Sequence, residues 1–487
     1  EFLLMNRRLF IKGLTVTPFC FSSYTFSMKP QDNEASIKMF GAKGDGNSDD
    51  SFAFINALTS HYANIYIPSG IYILERSIAL TLHKHLHIRC GDNVIIKLAD
   101  NVNKTMFILQ GDYNHDFSWE GGEIDGNWDG QAIETKNTHG RFNDVSHGLV
   151  LNKWRNCSIT DIYLHDFMGH HVNHAGNVNF YAKKIKIRSH ISTNFPDGGA
   201  RGDGITGASR NNYFEDIYGF STDDLIGLFA GIKWLPNASS AKDTIIDSVY
   251  INNVHADSYL SNDRKHYTWH AITIGVSSDY EIQNIQINNI SGICKDRGVG
   301  IITYVTNHDY DYFGIIKKLS LSNISCDVVG FTGKSYLHSP VVLGEPTQNY
   351  KKHAGIEKTI KINYASISGV SCGDLSTINT CVAIGNISSR LLNISKVMLG
   401  SQIGEDKKTF LAISGPAYLD DVVLDGFHDD TNNVIHFDIP NKYPMRLVNK
   451  SNSLNTKTNK IKLSVNDEFM GNILYSKDDF TPLNKIR

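Results

Sequence analysis

The chain has 487 residues, 41% of them hydrophobic and 20% charged, with a formal net charge of −3. That balance belongs to a folded protein and excludes long disorder, and it offers no general electrostatic attraction to nucleic acid or an anionic membrane. No apolar run reaches the roughly eighteen residues a spanning helix needs. Glycine is abundant, at 40, and proline scarce, at 11. Many turns with few prolines suit an all-β chain, because tight corners need φ > 0 and ladders need every N–H. The seven cysteines, Cys20, Cys90, Cys157, Cys294, Cys326, Cys372 and Cys381, are odd in number and scattered without a CxxC pair. They indicate buried free thiols, not a disulfide framework or a zinc site.

Along the chain, residues 1–30 read as a signal-like or docking segment, or as a terminus without function. Asn6-Arg7-Arg8-Leu9-Phe10 followed by a mildly apolar run resembles a twin-arginine export signal, and a short peptide docking a spike to a virion is the alternative. Residues 38–58 read as a Gly/Asp loop and a short helix, with Asp49 or Asp50 as its cap and Phe52, Ile55 and Leu58 as its apolar face. Residues 65–74 read as strand, turn, strand. A helix in front of the first strands is what a solenoid needs as a lid on its terminal coil.

From about 90 to 425 short β runs are divided by Gly, Asn, Asp and Ser corners. A phrase recurs at 285–292, 319–325, 362–369 and 392–395, with apolar and polar residues alternating before an Asn or Ser corner. Period-two strands repeating at irregular intervals of tens of residues predict stacked coils with loops of varying length. A β-sandwich or propeller would also have many short strands, but the spacing lacks a constant blade period. The expected fold is all-β, a right-handed single-stranded parallel β-helix over 31–427 with an N-terminal helical cap. Residues 428–487, rich in Asn, Asp, Lys and Thr, are expected to be a terminal cap, an oligomerisation strand or a tail.

Three elements carry candidate chemistry: Gly121-Gly-Glu-Ile-Asp-Gly-Asn127, Gly202-Asp-Gly-Ile205 with Thr222-Asp-Asp-Leu-Ile-Gly227, and Trp269-His-Ala-Ile-Thr-Ile-Gly275. Asp203 and Asp224 are 21 residues apart, so in a coil of that length they stack on neighbouring turns, about 4.8 Å apart. Carboxyls so placed repel, and at least one keeps its proton near neutral pH while another can activate water. The same aspartates could instead make Asx turns at corners, or hold calcium. Trp234, Tyr267 and Trp269 could stack on sugar rings or pack a loop insertion. A second group, His165, Asp166, His170, His171 and His174, reads as a polar corner or an extra substrate contact. The i, i+4 spacing of His170 and His174 would suit a metal only on a helix, and the region reads as strand. Lys183, Lys184, Lys186 and Arg188 form a basic strand, a solvated face that could also meet an acidic polysaccharide.

Residues 38–74 resemble the opening of pectate-lyase-like β-helix proteins, a group that includes phage tailspikes. The three elements above resemble motifs of the polygalacturonase-like glycoside hydrolases. The resemblance spans roughly 38 to 302. It implies Asp223 as general acid, Asp203 and Asp224 as carboxylates orienting water, His270 tuning the acid or holding the sugar, and inversion at the anomeric carbon. Departures stand beside it. Gly202 replaces the family's Asn-bearing lead into the first aspartate, Thr222 and Trp269 replace glycines, and Gly300-Ile-Ile302 stands where an Arg-Ile-Lys element is expected. Arg297 or Lys295 would have to supply the missing cation, which points away from galacturonan and toward another polymer. The expectation is an extracellular or virion-borne depolymerase of a bacterial surface polysaccharide, with no metal or cofactor, no nucleic-acid or membrane partner, and a possible homotrimer. A polysaccharide lyase and a non-catalytic carbohydrate-binding spike are the alternatives.

Overall fold

The computed structural model describes residues 34–131, 147–191, 202–231, 240–261, 264–277, 280–303, 313–330 and 338–344. Beyond these it describes 360–373, 375–377, 380–385, 387–399, 409–413, 417–425, 434–437, 445–450, 461–464, 473–475 and 480–482. The segment at 1–30, Cys20 and Trp234 lie outside the described residues.

Strands stack coil upon coil in three parallel columns. The first column starts with Glu34–Ser36, Asn64–Ile67 and Leu86–Cys90 and runs to Ile473–Tyr475. The second starts with Asp45–Asp49, Gly70–Leu74, Val94–Leu98 and Glu123–Asp125. The third runs from Ile78–Thr81 through Leu149–Asn152, Val172–Ala175, Ile205–Ala208 and Asp224–Ala230 to Phe480–Pro482. The fold is therefore the parallel β-helix that the strand pattern predicts. Asn64–Ile67 and Gly70–Leu74 are both strands, but they do not pair with each other. Each belongs to a different column and pairs with the next coil. Among the described residues one hairpin departs from the rule: Ser258–Ser261 runs antiparallel to the start of Arg264–Val276. The compositional change near 428 does not end the pairing, because Val434–Phe437, Met445–Asn449 and Ile461–Ser464 continue the first and third columns.

Alternation on the strands fills the interior. Leu149, Val172, Ile205, Ile226, Ile272, Val299 and Val341 occupy successive rungs of one inward line, and all are buried. Stacking like side chains at strand spacing removes apolar surface from water at roughly 25 cal/mol per Å², which no single coil could do alone. The helix spans Ser51–Thr59. Its buried face is Phe54, Ala57 and Leu58, with Phe54 edge-on to Tyr72. Phe52, expected inside, is 57% exposed and carries the Arg76 guanidinium over its ring. At 100° per residue Phe52 and Phe54 cannot share one narrow face, and the i, i+3, i+4 set through Phe54 is the one that meets the core. Asp50 occupies the N-cap position, but its carboxylate makes no cap bond and instead accepts from the Lys43 and Gly44 amides, while Asp49 accepts from Ser51 N.

The corner between the first and second columns is made by one left-handed residue per coil. Asp161, Lys184, Asp216, Asn253, Asn289, Asn323, Gly369 and Lys396 have φ between 53° and 64° and fall on successive rungs. Asn tolerates this region because its short amide bonds locally. Here Asn289 Nδ2 donates to Asn252 Oδ1 at 3.1 Å, and Asn323 Nδ2 donates to Asn289 Oδ1 at 3.2 Å. Asn289→Val combines a β-branched residue at positive φ with loss of both bonds. It is expected to destabilise by about 2 kcal/mol, and Asn289→Gly by less. Chemical denaturation of the two variants beside the parent protein reads this directly.

Candidate active site

Where the second column turns into the third, each coil places one residue on a common rung. In chain order these are His147, His170, Asp203, Asp224, His270 and Arg297. Asp224 pairs with His270 and His270 with Arg297, and the neighbouring rungs Val172–Ile205 and Ile205–Ile226 extend the line back to His170 and Asp203. The 21-residue separation of Asp203 and Asp224 is thus one coil. The glycines flanking Asp203 let the chains approach: a Cβ on Gly202 would stand 2.3 Å from Gly169 O, and one on Gly204 would stand 2.5 Å from Leu225 O.

The carboxyls of Asp203 and Asp224 converge. Asp203 Oδ2 and Asp224 Oδ2 lie 3.2 and 3.1 Å from one point, the place a Cβ would occupy on Gly227. Asp223 joins them, since donor atoms of Asp223, Asp224 and His270 all lie within 4.8 Å of one another. Asp203 and Asp224 are only 4% and 6% exposed, whereas Asp223 is half-buried. Burial, together with the charges of Asp224 and Asp223, pushes the Asp203 carboxyl well above the usual carboxylate range. Asp224 Oδ1 accepts from Thr273 Oγ1 at 2.5 Å and from His270 Nδ1 at 2.6 Å.

Two groups that carry no recognisable motif complete the site. On one side His270 Nε2 meets Asp296 Oδ2 at 2.7 Å, and Asp296 also accepts from Arg297 Nε at 3.2 Å and from His338 Nδ1. Burial opposes the charged form of His270, but Asp224 and Asp296 outweigh it and raise its pKa. Burial likewise opposes ionisation of Asp296, yet the bonds from His270 and His338 and the charge of Arg297 hold it well below the ordinary carboxylate range. On the other side two neutral histidines stack. His170 N donates to His147 Nδ1, and Asp203 N donates to His170 Nδ1, both at 2.9 Å, with the rings 4.9 Å apart and nearly parallel. Burial drops His147 to about 4 and His170 well below its ordinary value.

Arg297 sits beside the cluster, so a cation is present one rung from His270 although no Arg-Ile-Lys element exists. Lys295 Nζ lies 4.0 Å from the centre of the Trp269 ring, on the flank of the cluster. Tyr267 stands on the antiparallel hairpin with Lys265 over its ring. The second group of the sequence does not gather into one centre. His165 is held between Asp166 and Glu123, His171 between backbone carbonyls of Asp203 and Arg188, and His174 points inward against Phe180. The basic strand is likewise divided: Lys183 pairs with Glu215 at 2.7 Å, Lys184 makes a corner, Lys186 lies over Tyr163, and Arg188 bonds Asp166. It is not a free cationic face.

Among the described residues two trios have ligand atoms close enough for a cation to bridge, Asp223 with Asp224 and His270, and Asp125 with His165 and Asp166. In the first, both His270 nitrogens already face carboxylate oxygens and leave no lone pair for a metal. In the second, His165 is engaged in the same way by Asp166 and Glu123.

Residues 35–214 match the family model described as rhamnogalacturonase A/epimerase, pectate lyase-like. With the coils described above, the chain has a parallel β-helix fold, and over residues 35–214 it is similar to that pectate-lyase-like family. Among solved structures it is similar to a hyperthermoactive exopolygalacturonase from Thermotoga maritima, with a TM-score of 0.51 and 12% identity over 81% of this chain and 92% of that one. Likeness at this identity speaks for the fold alone. Among curated proteins it is 24% identical over 166 residues to plasmin and fibronectin-binding protein A of Streptococcus pneumoniae, covering 31% of this chain and 23% of that protein. It is 38% identical over 69 residues to the pre-neck appendage protein of Bacillus phage phi29, covering 14% of this chain and 8% of that protein. The chain therefore spans less than a quarter of the length of these relatives.

A carboxyl whose pKa folding has raised adds stability below its unfolded value of about 3.9, and that stability is lost as the pH climbs through the folded value. Asp203→Asn cannot ionise. It is expected to melt with the parent protein near pH 4 and at a higher temperature near pH 8, the gap widening steadily between. Thermal unfolding of both proteins across that range checks it.

Proposed function

We propose that this protein is a polysaccharide depolymerase that hydrolyses glycosidic bonds with inversion. The observation that carries the reading is the convergence of Asp203, Asp224 and His270 from three coils onto one rung, with Asp223 beside them. Paired carboxyls are the usual machinery of glycoside hydrolysis. Asp223, the most solvent-accessible of the three, donates a proton to the departing glycosidic oxygen. Asp224, an acceptor of two hydrogen bonds, takes the proton of the attacking water as the new bond to the anomeric carbon forms. Asp203 keeps its own proton and lets the pair sit close without full mutual repulsion.

Arg297, Lys295 and the Trp269 face flank the reacting atoms and suit a substrate that combines sugar faces with acidic groups. A bacterial surface polysaccharide, met by an exported enzyme or a virion spike, fits this lining. Assembly as a homotrimer belongs to the same proposal.

Asp223→Asn is expected to lose about 10²- to 10⁴-fold in turnover while retaining polysaccharide binding. The measurement incubates both proteins with a panel of capsular and plant polysaccharides and weighs the products. Products heavier by one water per cut support hydrolysis. Unsaturated products would establish a lyase, and binding without cleavage by the parent protein would establish a carbohydrate-binding spike.

A further inference from the structure

We propose that Asp296 is a positioning residue: it and Asp224 grip His270 by both ring nitrogens and hold it as an imidazolium beside the aspartate pair. The proposal deepens the hydrolase reading and rests on it for its catalytic meaning, but the protonation of His270 stands or falls by itself.

The backbone builds this grip with an irregularity. Thr268 pairs with Cys294, yet His270 pairs with Arg297, so one residue, Trp269, stands opposite two, Lys295 and Asp296. This is a β-bulge, and a bulge re-aims side chains that a regular ladder would alternate in and out. Lys295 is turned onto the Trp269 ring and Asp296 onto His270. Asp296 is then fixed from the following coil, where His338 donates to its other oxygen, and from its own strand by Arg297. Asp296 is 6% exposed, and burying a carboxylate costs several kcal/mol unless it is paired. Three donors around one carboxylate meet that need.

The chemistry follows from counting lone pairs. A neutral imidazole has one donor and one acceptor nitrogen, so it could not satisfy two carboxylate oxygens at 2.6 and 2.7 Å. An imidazolium donates to both. The titratable and charged groups facing His270 are Asp224, with Asp223 and Asp203 beyond it, from the coils before; Asp296, Arg297 and Lys295 come from the strand after, and His338 from the coil beyond that. Asp224 is the largest influence favouring the charged ring. An imidazolium fixed at Asp224 Oδ1 leaves Asp224 Oδ2, beside Asp203 Oδ2 at Gly227, as the oxygen that His270 does not engage. Asp296 thereby acts through His270, not on the sugar.

The test is a proton titration of His270 by NMR in the intact protein with ring-nitrogen labelling, which requires no substrate. In the parent protein His270 should stay protonated on both nitrogens through neutral pH, with a midpoint above about 6.5. Asp296→Asn should lower that midpoint by about one unit, a tenfold weaker hold on the proton. His338→Asn, which leaves Asp296 in place but loosens it, should lower the midpoint less, and it serves where Asp296→Asn folds poorly. If His270 carries one proton at neutral pH in the parent protein, or if neither substitution moves its midpoint, the proposal is overturned. Where a cleaved polysaccharide is in hand, the alkaline limb of the kcat profile should move to lower pH in Asp296→Asn. A titration that behaves as expected in a protein that cuts nothing would sink the hydrolase reading and leave the positioning of His270 intact.

Discussion

Lateral hydrogen bonding between parallel coils is the constraint on which the molecule depends. It converts a separation along the chain, whatever its length, into one strand spacing in space. Asp203 and Asp224 are one short coil apart, whereas Asp224 and His270 are separated by a long insertion and an antiparallel hairpin. Both pairs nonetheless occupy adjacent rungs. Because the inward line of Val, Ile and Leu fixes the register, the outward residues have no freedom to slip, a one-residue slip being enough to exchange the two faces.

Holding three carboxyls together on that rung is electrostatically unfavourable, and the surroundings show how the cost is offset. One carboxyl, Asp203, is favoured in its neutral form by burial and by its neighbours. Another, Asp224, is bonded by His270 and Thr273. The carboxylate on the far side of His270, Asp296, is in turn bonded by Arg297 and His338. Opposite them, His147 and His170 are neutral, and their Nδ1 atoms accept backbone N–H groups. The site thus has an ionic flank and a neutral flank, with the aspartates at the boundary. Such an arrangement sacrifices stability for a defined proton inventory, which is a common feature of sites that move protons.

The scaffold itself is indifferent to this chemistry. The corner from Phe220 to Asp224 is short, while the corners before and after it carry long stretches of chain, so loop length varies without disturbing the rungs. Proteins of quite different description share stretches of similarity with this chain, from a plasmin and fibronectin-binding protein to a phage pre-neck appendage protein. Activity on such a fold is decided by which side chains a given corner presents.

The parallel coils, the Asn and Gly corners and the 21-residue partnership of Asp203 with Asp224 were legible in the order of residues. Each depends on local periodicity or on a coil without insertions, and both are written along the chain. The helix was legible as an element but not in its orientation, because Phe52 and Phe54 are equally apolar and only contact with Tyr72 and the core distinguishes them. Asp296, His338 and His147 were invisible beforehand. Asp296 reaches His270 through a bulge, His338 arrives from a coil separated by long intervening chain, and His147 joins by stacking on His170. Register across coils is a property of the stacked whole. It is set by the summed packing of the interior, and no spacing within the sequence records where a bulge will turn a side chain.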